Sequence, residues 1–312
     1  MSTEVQLAYD GEALRQHAMD VDELAPALQS VSDLCKHTNL LVNGNRASLR
    51  VLVQSDFQHQ GFLISFQVLL DAWKQVQGVI STENIKTAKE QLEWLGLLGM
   101  PAGLGVFPYL KRKRGRRVTS VSRPDRAGLV TVQLEGQGGP IAIDQNVYNL
   151  SRDPTILKSV RGVLRPLQVP GVDRLEIREQ GKVLETIDRD EAHDIIESED
   201  PGPDLDLSDH PTIVDATLAI YSPVFDPKAA TWRFLYGDRV IRARVAGSGM
   251  AEDILTRGSV KIGDAYAAKL EITPYITQDG RVRHSYRVIS VQQFLPASTQ
   301  GDLFLRRYRE EE

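Results

Sequence analysis

Val5, Leu7 and Tyr9 alternate with polar neighbours, the two-residue period of a half-buried strand. The period then changes. Leu24, Leu28, Val31, Leu34 and Leu41 recur at near-helical spacing behind Asp22, a suitable helix cap, and the run stops at Asn43-Gly44-Asn45. Leu49, Val51 and Val53, then Phe62, Ile64, Phe66 and Val68, return to alternation on either side of a polar stretch at 56–61, which predicts a hairpin. Helical patterns follow at 69–80 and 84–98, and strands at 118–121, 129–134 and 141–143. A helix is expected over 155–167, with Pro154 suited to its first turn. Leu175 and Ile177 pair with Val183 and Ile187 around Gln180-Gly181, the mark of a last hairpin.

Beyond residue 211 the pattern is almost entirely that of strands: 213–221, 231–236, 239–245, 265–276 and 282–294, with one short helix near 250–257. Gly237-Asp238 and Asp279-Gly280 mark tight turns. Five strands and one helix in so short a stretch suit a small closed or nearly closed β-barrel, with the OB type as one candidate. Between the halves, Glu197 to Pro211 holds six acids, three prolines and no base. Such a stretch has nothing with which to pack a core. The expected organisation is therefore α+β: a mixed helix and antiparallel-sheet domain over 1–196, an acidic linker over 197–211, and a small mainly-β, OB-like domain over 212–312.

Charge narrows the partners. The chain carries 37 Lys+Arg against 42 Asp+Glu, a net charge of -5, of which the linker supplies six negative charges. Residues 1–196 are left at about neutrality and 212–312 slightly positive, so neither half has the global excess of base that marks a dedicated duplex-DNA binder. Cys35 is the only thiol and has no partner for an internal disulfide, which agrees with a reducing compartment. Residues 1–10 lack the basic and apolar regions of a secretory signal. A cytoplasmic address is expected, with peripheral attachment to the inner membrane as a variant of it.

Catalytic patterns are sparse. The six histidines, at 17, 37, 59, 193, 210 and 284, form no metal-binding spacing, so no metal and no cofactor are expected. His17 near Asp20, and His193 near Asp190 and Asp194, could form acid–base pairs, and solvated helix ends explain them as well as proton transfer does. Gly247-Ser248-Gly249 reads as a loop entering the helix at Met250, and the glycines at 99, 103 and 105 lack the flanking strand and Lys-Ser/Thr of a phosphate loop. The expectation is a protein that binds rather than catalyses.

Two constellations stand out. From Trp94 to Leu110 there are 17 consecutive uncharged residues, followed at once by six bases in seven positions, Lys111, Arg112, Lys113, Arg114, Arg116 and Arg117. A straight helix of that length spans about 25 Å, short of the roughly 30 Å hydrocarbon core, and Pro101, Pro108 and four glycines break it. In one reading Trp94, Leu97, Leu98, Leu104, Phe107 and Tyr109 enter an anionic membrane surface or a partner protein while the bases supply attraction. In the other, the apolar half is core and the bases keep the following strand soluble. Gly99 and Gly103 have the spacing that allows close helix approach. The rival constellation is on the barrel: Arg233, Arg242, Arg244, Arg281, Arg283 and Arg287 lie among Tyr221, Trp232, Phe234, Tyr236 and Tyr286. Charge beside flat rings suits a nucleic acid, although Trp232, Phe234 and Tyr236 share one face and read most simply as core, which leaves Arg233 outward. Leu303 to Arg309 reads equally as a docking element or a frayed end.

The stretch Met19-Asp20-Val21-Asp22-Glu23-Leu24-Ala25-Pro26-Ala27-Leu28, with Asn43-Gly44-Asn45-Arg46-Ala47 and residues 149–167, resembles a family of uncharacterised bacterial proteins. The resemblance implies the same order of capped helix, hairpin, apolar segment with basic end and C-terminal β domain. It carries no catalytic residue, and by association it implies a component of an anti-phage defence system acting in an oligomer or complex. The leading expectation is thus a non-enzymatic protein of membrane-surface or partner association, through Trp94 to Arg117. The alternative is a nucleic-acid-binding module using the barrel arginines with the run 111–117. Limited proteolysis is expected to cut first within 197–211 and leave two stable fragments; a chain that resists cleavage there has a packed linker.

Overall fold

The computed structural model describes residues 2–15, 18–44, 47–54, 62–72, 85–100, 103–198, 211–222, 231–236, 239–261, 264–276 and 282–296. The expected linker, apart from its ends, the predicted helix beyond Ala72, both tight turns of the barrel, Arg281 and the stretch 303–309 lie outside these residues. The chain divides into two compact units, Met1–Thr38 with Leu49–Leu70 and Thr87–Leu205, and Asn39–Ser48 with Asp71–Lys86 and Asp206–Glu312. The second therefore takes in two stretches ahead of residue 197 along with the barrel.

In the first unit, β1 (Ser2–Asp10) lies at the centre of a five-stranded sheet. It pairs antiparallel with β3 (Phe62–Ala72) on one side and β7 (Arg174–Glu179) on the other. The edges are β2 (Ala47–Gln54) and β8 (Lys182–Asp188). β3 continues through Leu69 to Ala72, positions where the apolar spacing suggested the start of a helix; they prolong a strand that pairs with β1 from Phe62 to Leu69. The β7–β8 turn follows expectation, with Gln180 at φ 50° and Gly181 at φ 80°, the double positive φ of a type I′ hairpin. Helix α1 (Val21–Asn43) is capped by Asp20, whose Oδ1 accepts from Asp22 N at 2.8 Å, two residues earlier than the sequence suggested. Val31, Leu34, Cys35 and Leu41 are buried along it. Three further strands, β4 (Val118–Val121), β5 (Leu129–Leu134) and β6 (Ile141–Asp144), form a small antiparallel sheet. Next come α4 (Gln145–Leu150), α5 (Pro154–Leu164) and α6 (Arg189–Glu197). Each begins at an aspartate, Asp144, Asp153 and Asp188, whose carboxylate accepts from backbone N–H groups of the first turn.

The apolar segment is a pair of short helices, α2 (Ala88–Leu95) and α3 (Val106–Lys113). Thr87 and Glu90 form a reciprocal cap at the start of α2, and Gly96, at φ 79°, ends it. The contact that folds the segment back is between backbones. A Cβ on Gly105 would lie 2.3 Å from Gly96 Cα and 2.8 Å from Glu93 O, and one on Gly96 would lie 2.5 Å from Pro108 Cδ. Gly96 and Gly105, rather than the expected Gly99 and Gly103, make the close approach.

The second unit is a closed barrel of β9 (Thr212–Ser222), β10 (Thr231–Tyr236), β11 (Arg239–Arg244), β12 (Ala265–Ile276) and β13 (Val282–Leu295), with α7 (Met250–Arg257) between β11 and β12. Around the barrel the order is β10-β11-β13-β12-β9. Counted within the unit this is 2-3-5-4-1. The β11–β13 contact is parallel and the others antiparallel, the Greek-key barrel of OB type. Trp232, Phe234 and Tyr236 point inward with Leu218, Ile241, Tyr266, Leu270 and Val288. Leu40 packs on the same core, and its carbonyl accepts from Tyr236 Oη at 3.1 Å.

The backbone contact predicts a contrast between glycines. Gly105→Ala is expected to lower stability by about 1–3 kcal/mol, the usual cost of forcing atoms into a filled core. Gly99→Ala, where a Cβ would meet its nearest atom at an ordinary 3.5 Å, should change it by less than about 0.5 kcal/mol. Denaturant melts of the two variants measure the difference.

Candidate nucleic-acid interface

The two constellations of the sequence lie in different units. In the first unit, Trp94, Leu97, Leu98, Phe107 and Tyr109 are all buried, Phe107 completely, while Leu104 is half-buried. Each such side chain contributes about 1.5–3 kcal/mol by burial, so together they account for on the order of 10 kcal/mol, as much as a whole domain's net stability. Insertion into a membrane would require opening the unit. Their expected place at a membrane or partner surface is thus corrected to the core, and among the described residues no helix is long and apolar enough to cross a membrane.

The basic run divides in the same way. Lys111 Nζ lies 2.9 Å from Glu185 Oε1 and 3.4 Å from Glu191 Oε2, and donates to Thr186 O at 2.6 Å. Burial opposes its charge, but the two carboxylates outweigh burial and hold its pKa above the ordinary lysine value. Arg114 pairs with Glu191 and Asp194. These two cations fasten α3 to β8 and α6. Lys113 has its pKa lowered by burial and then by the nearby Arg152 and Arg161. Arg112, Arg116 and Arg117 are exposed. Arg114 is exposed as well, so four of the expected six bases reach solvent, and three of them, Arg112, Arg116 and Arg117, enter no ion pair among the described residues.

No acid–base pair of the sequence reading acquires a site. His17 lies outside the described residues, and His193 is exposed on α6. The pair that sequence spacing missed is His37 Nε2 and Asp153 Oδ1, 3.1 Å apart, both buried and 116 residues apart in the chain. The same carboxylate oxygen accepts from Thr155 N and Ile156 N at the start of α5, so its hydrogen bonds serve the helix cap. Cys35 is buried, and burial pushes its thiol up to about 12, which leaves it protonated and unreactive at neutral pH.

The barrel arginines are placed quite differently. Arg233 on β10 and Arg242 on β11 stand directly opposite one another, Thr231 opposite Arg244, and Leu235 opposite Val240. Because Trp232, Phe234, Ile241 and Ala243 are buried, alternation sends Arg233, Arg242 and Arg244 outward, and all three are exposed. Arg244 neighbours Arg287 on β13. Arg287 is held by Glu271 of β12, donating from Nε at 2.9 Å and Nη2 at 2.7 Å. Arg283, also exposed, stands opposite Tyr275 farther along β12 and β13. The strands β10, β11 and β13 contain no acidic residue, and among the described residues Arg233, Arg242, Arg244 and Arg283 enter no ion pair. Of the aromatics expected beside them, Trp232, Phe234 and Tyr236 are core, Tyr286 is half-buried, and Tyr221 is exposed.

No family model matches the chain, and neither a curated protein nor a solved structure shows similarity to it. The geometry therefore stands alone.

Lys113 offers a direct check on the basic run. A half-buried ammonium facing Arg152 and Arg161 is penalised in the folded state, and the penalty is full where lysine is charged in both states, below its lowered folded-state pKa, and falls away as pH rises through that value. Lys113→Met should raise the melting temperature at pH 7 by a few degrees, with the gain shrinking as pH approaches 10. Calorimetry across that range measures it, and a lowered melting temperature at pH 7 would contradict the placement.

Proposed function

We infer that the second unit is a nucleic-acid-binding module acting through the outer face of β10, β11 and β13. The observation that carries this reading is the Arg233–Arg242 pair. Like charges directly opposite on neighbouring strands are destabilising, and Arg244 and Arg287 extend the same cationic patch. A fold that keeps Arg233, Arg242, Arg244 and Arg283 outside any ion pair among the described residues, with only Arg287 held by Glu271, gains from an anion laid across that face. Barrels of this architecture use the face of their second and third strands to bind oligonucleotides and oligosaccharides; the charge selects the phosphodiester.

Arg112, Arg116 and Arg117 offer a second exposed cationic surface on the first unit. Membrane-surface association keeps these three bases as its support and loses the apolar half of its argument. A place in an anti-phage system rests on the resemblance around Met19 to Leu28 alone.

Fluorescence anisotropy with labelled 20-mers, single-stranded and duplex, tests the reading against anionic vesicles. Wild type should bind nucleic acid with an affinity that falls steeply with salt. Arg233→Gln/Arg242→Gln should weaken binding at least about tenfold at low salt and reduce the slope of log K against log salt by about one to two. Vesicle flotation unaffected by the double variant, with no nucleic-acid binding by wild type, would refute it.

A further inference from the structure

We propose, building on the nucleic-acid reading above, that the barrel face takes a short single strand in preference to a duplex. The charge is small and local. Four arginines, Arg233, Arg242, Arg244 and Arg283, face outward, and a fifth, Arg287, is engaged by Glu271, the carboxylate that closes this edge of the patch. Duplex DNA presents a phosphate charge about every 1.7 Å of its axis, and a tight grip on it needs a longer basic surface than this. Outward positions repeat about every 6.6 Å along a strand, and neighbouring strands lie about 4.8 Å apart. A patch of that width accommodates a few nucleotides, near the lower end of the roughly 4–16 covered by a single OB barrel.

The side chains between the arginines separate the two ligands further. Val240, 42% exposed, is the next outward position beyond Arg242 on β11, and Tyr275, 43% exposed, stands opposite Arg283. A duplex would lay its charged sugar–phosphate rails on these apolar surfaces while its bases stayed stacked inside. A single strand turns the arrangement to advantage: its phosphates meet the arginines and its unstacked bases cover Tyr275 and Val240. The planar guanidinium groups also stack on bases. Exposed apolar surface thus lies beside arginine on both antiparallel ribbons of the face, the aliphatic Val240 on β10–β11 and the ring of Tyr275 on β12–β13.

The test uses the full chain with labelled dT12 and a 12-base-pair duplex in low salt, and each variant is first melted to confirm folding. Wild type should bind dT12 at least about tenfold more tightly than the duplex. Tyr275→Ala should weaken dT12 binding by about tenfold, as removal of one stacking platform does, and so narrow the gap to the duplex; Tyr275→Phe, which keeps the ring, should restore it. Equal affinity for dT12 and duplex would overturn the proposal and leave the nucleic-acid reading standing. So would a Tyr275→Ala protein that holds dT12 as wild type does. Binding of neither ligand would overturn both.

Discussion

The two-residue period of the strand governs what this protein can show to its surroundings. Once Trp232, Phe234 and Tyr236 are committed to the barrel interior, the residues between them have no choice of side, and Arg233 must face out. The same rule on β11 buries Ile241 and Ala243 and turns out Arg242 and Arg244. Antiparallel pairing then brings Arg233 and Arg242 level. The cationic face is a by-product of core packing in its placement. In its composition it is not, because any polar residue would satisfy the alternation, and arginine stands at each of these positions.

The first unit shows how far an apolar run can mislead when it is read as a surface. Seventeen uncharged residues before six bases have the composition of an interfacial anchor, yet the run folds into two short helices whose glycines touch backbone to backbone. Only a residue without a Cβ permits that approach, and the turn it makes hides Trp94, Phe107 and Tyr109 from solvent. The bases follow their neighbours: Lys111 and Arg114 reach the acids of β8 and α6, while Arg112, Arg116 and Arg117 stay out.

Local signals set most of the architecture. The alternation at 213–221, 231–236, 239–245, 265–276 and 282–294 delimited all five barrel strands to within a residue or so, and the helix at 250–257 was recovered at both ends. Gly44 and Gln180-Gly181 ended their elements as the chemistry of positive φ requires. Misreadings arose where two periods compete. Leu69 to Ala72 fit a helix in isolation, but they prolong a strand whose preceding residues, through Leu69, pair with β1.

What the sequence determined by itself is therefore the period of most segments, their caps and turns, and the types of side chain on each strand face. Those depend on neighbours one to four residues away. The tertiary structure decided everything that depends on register and closure: the order of strands around the barrel, the alignment of Arg233 with Arg242, the capture of Arg287 by Glu271, the burial of the apolar run, and the union of His37 with Asp153. Each joins residues far apart in the chain, and their meeting is set by how whole elements pack, a quantity no local pattern carries.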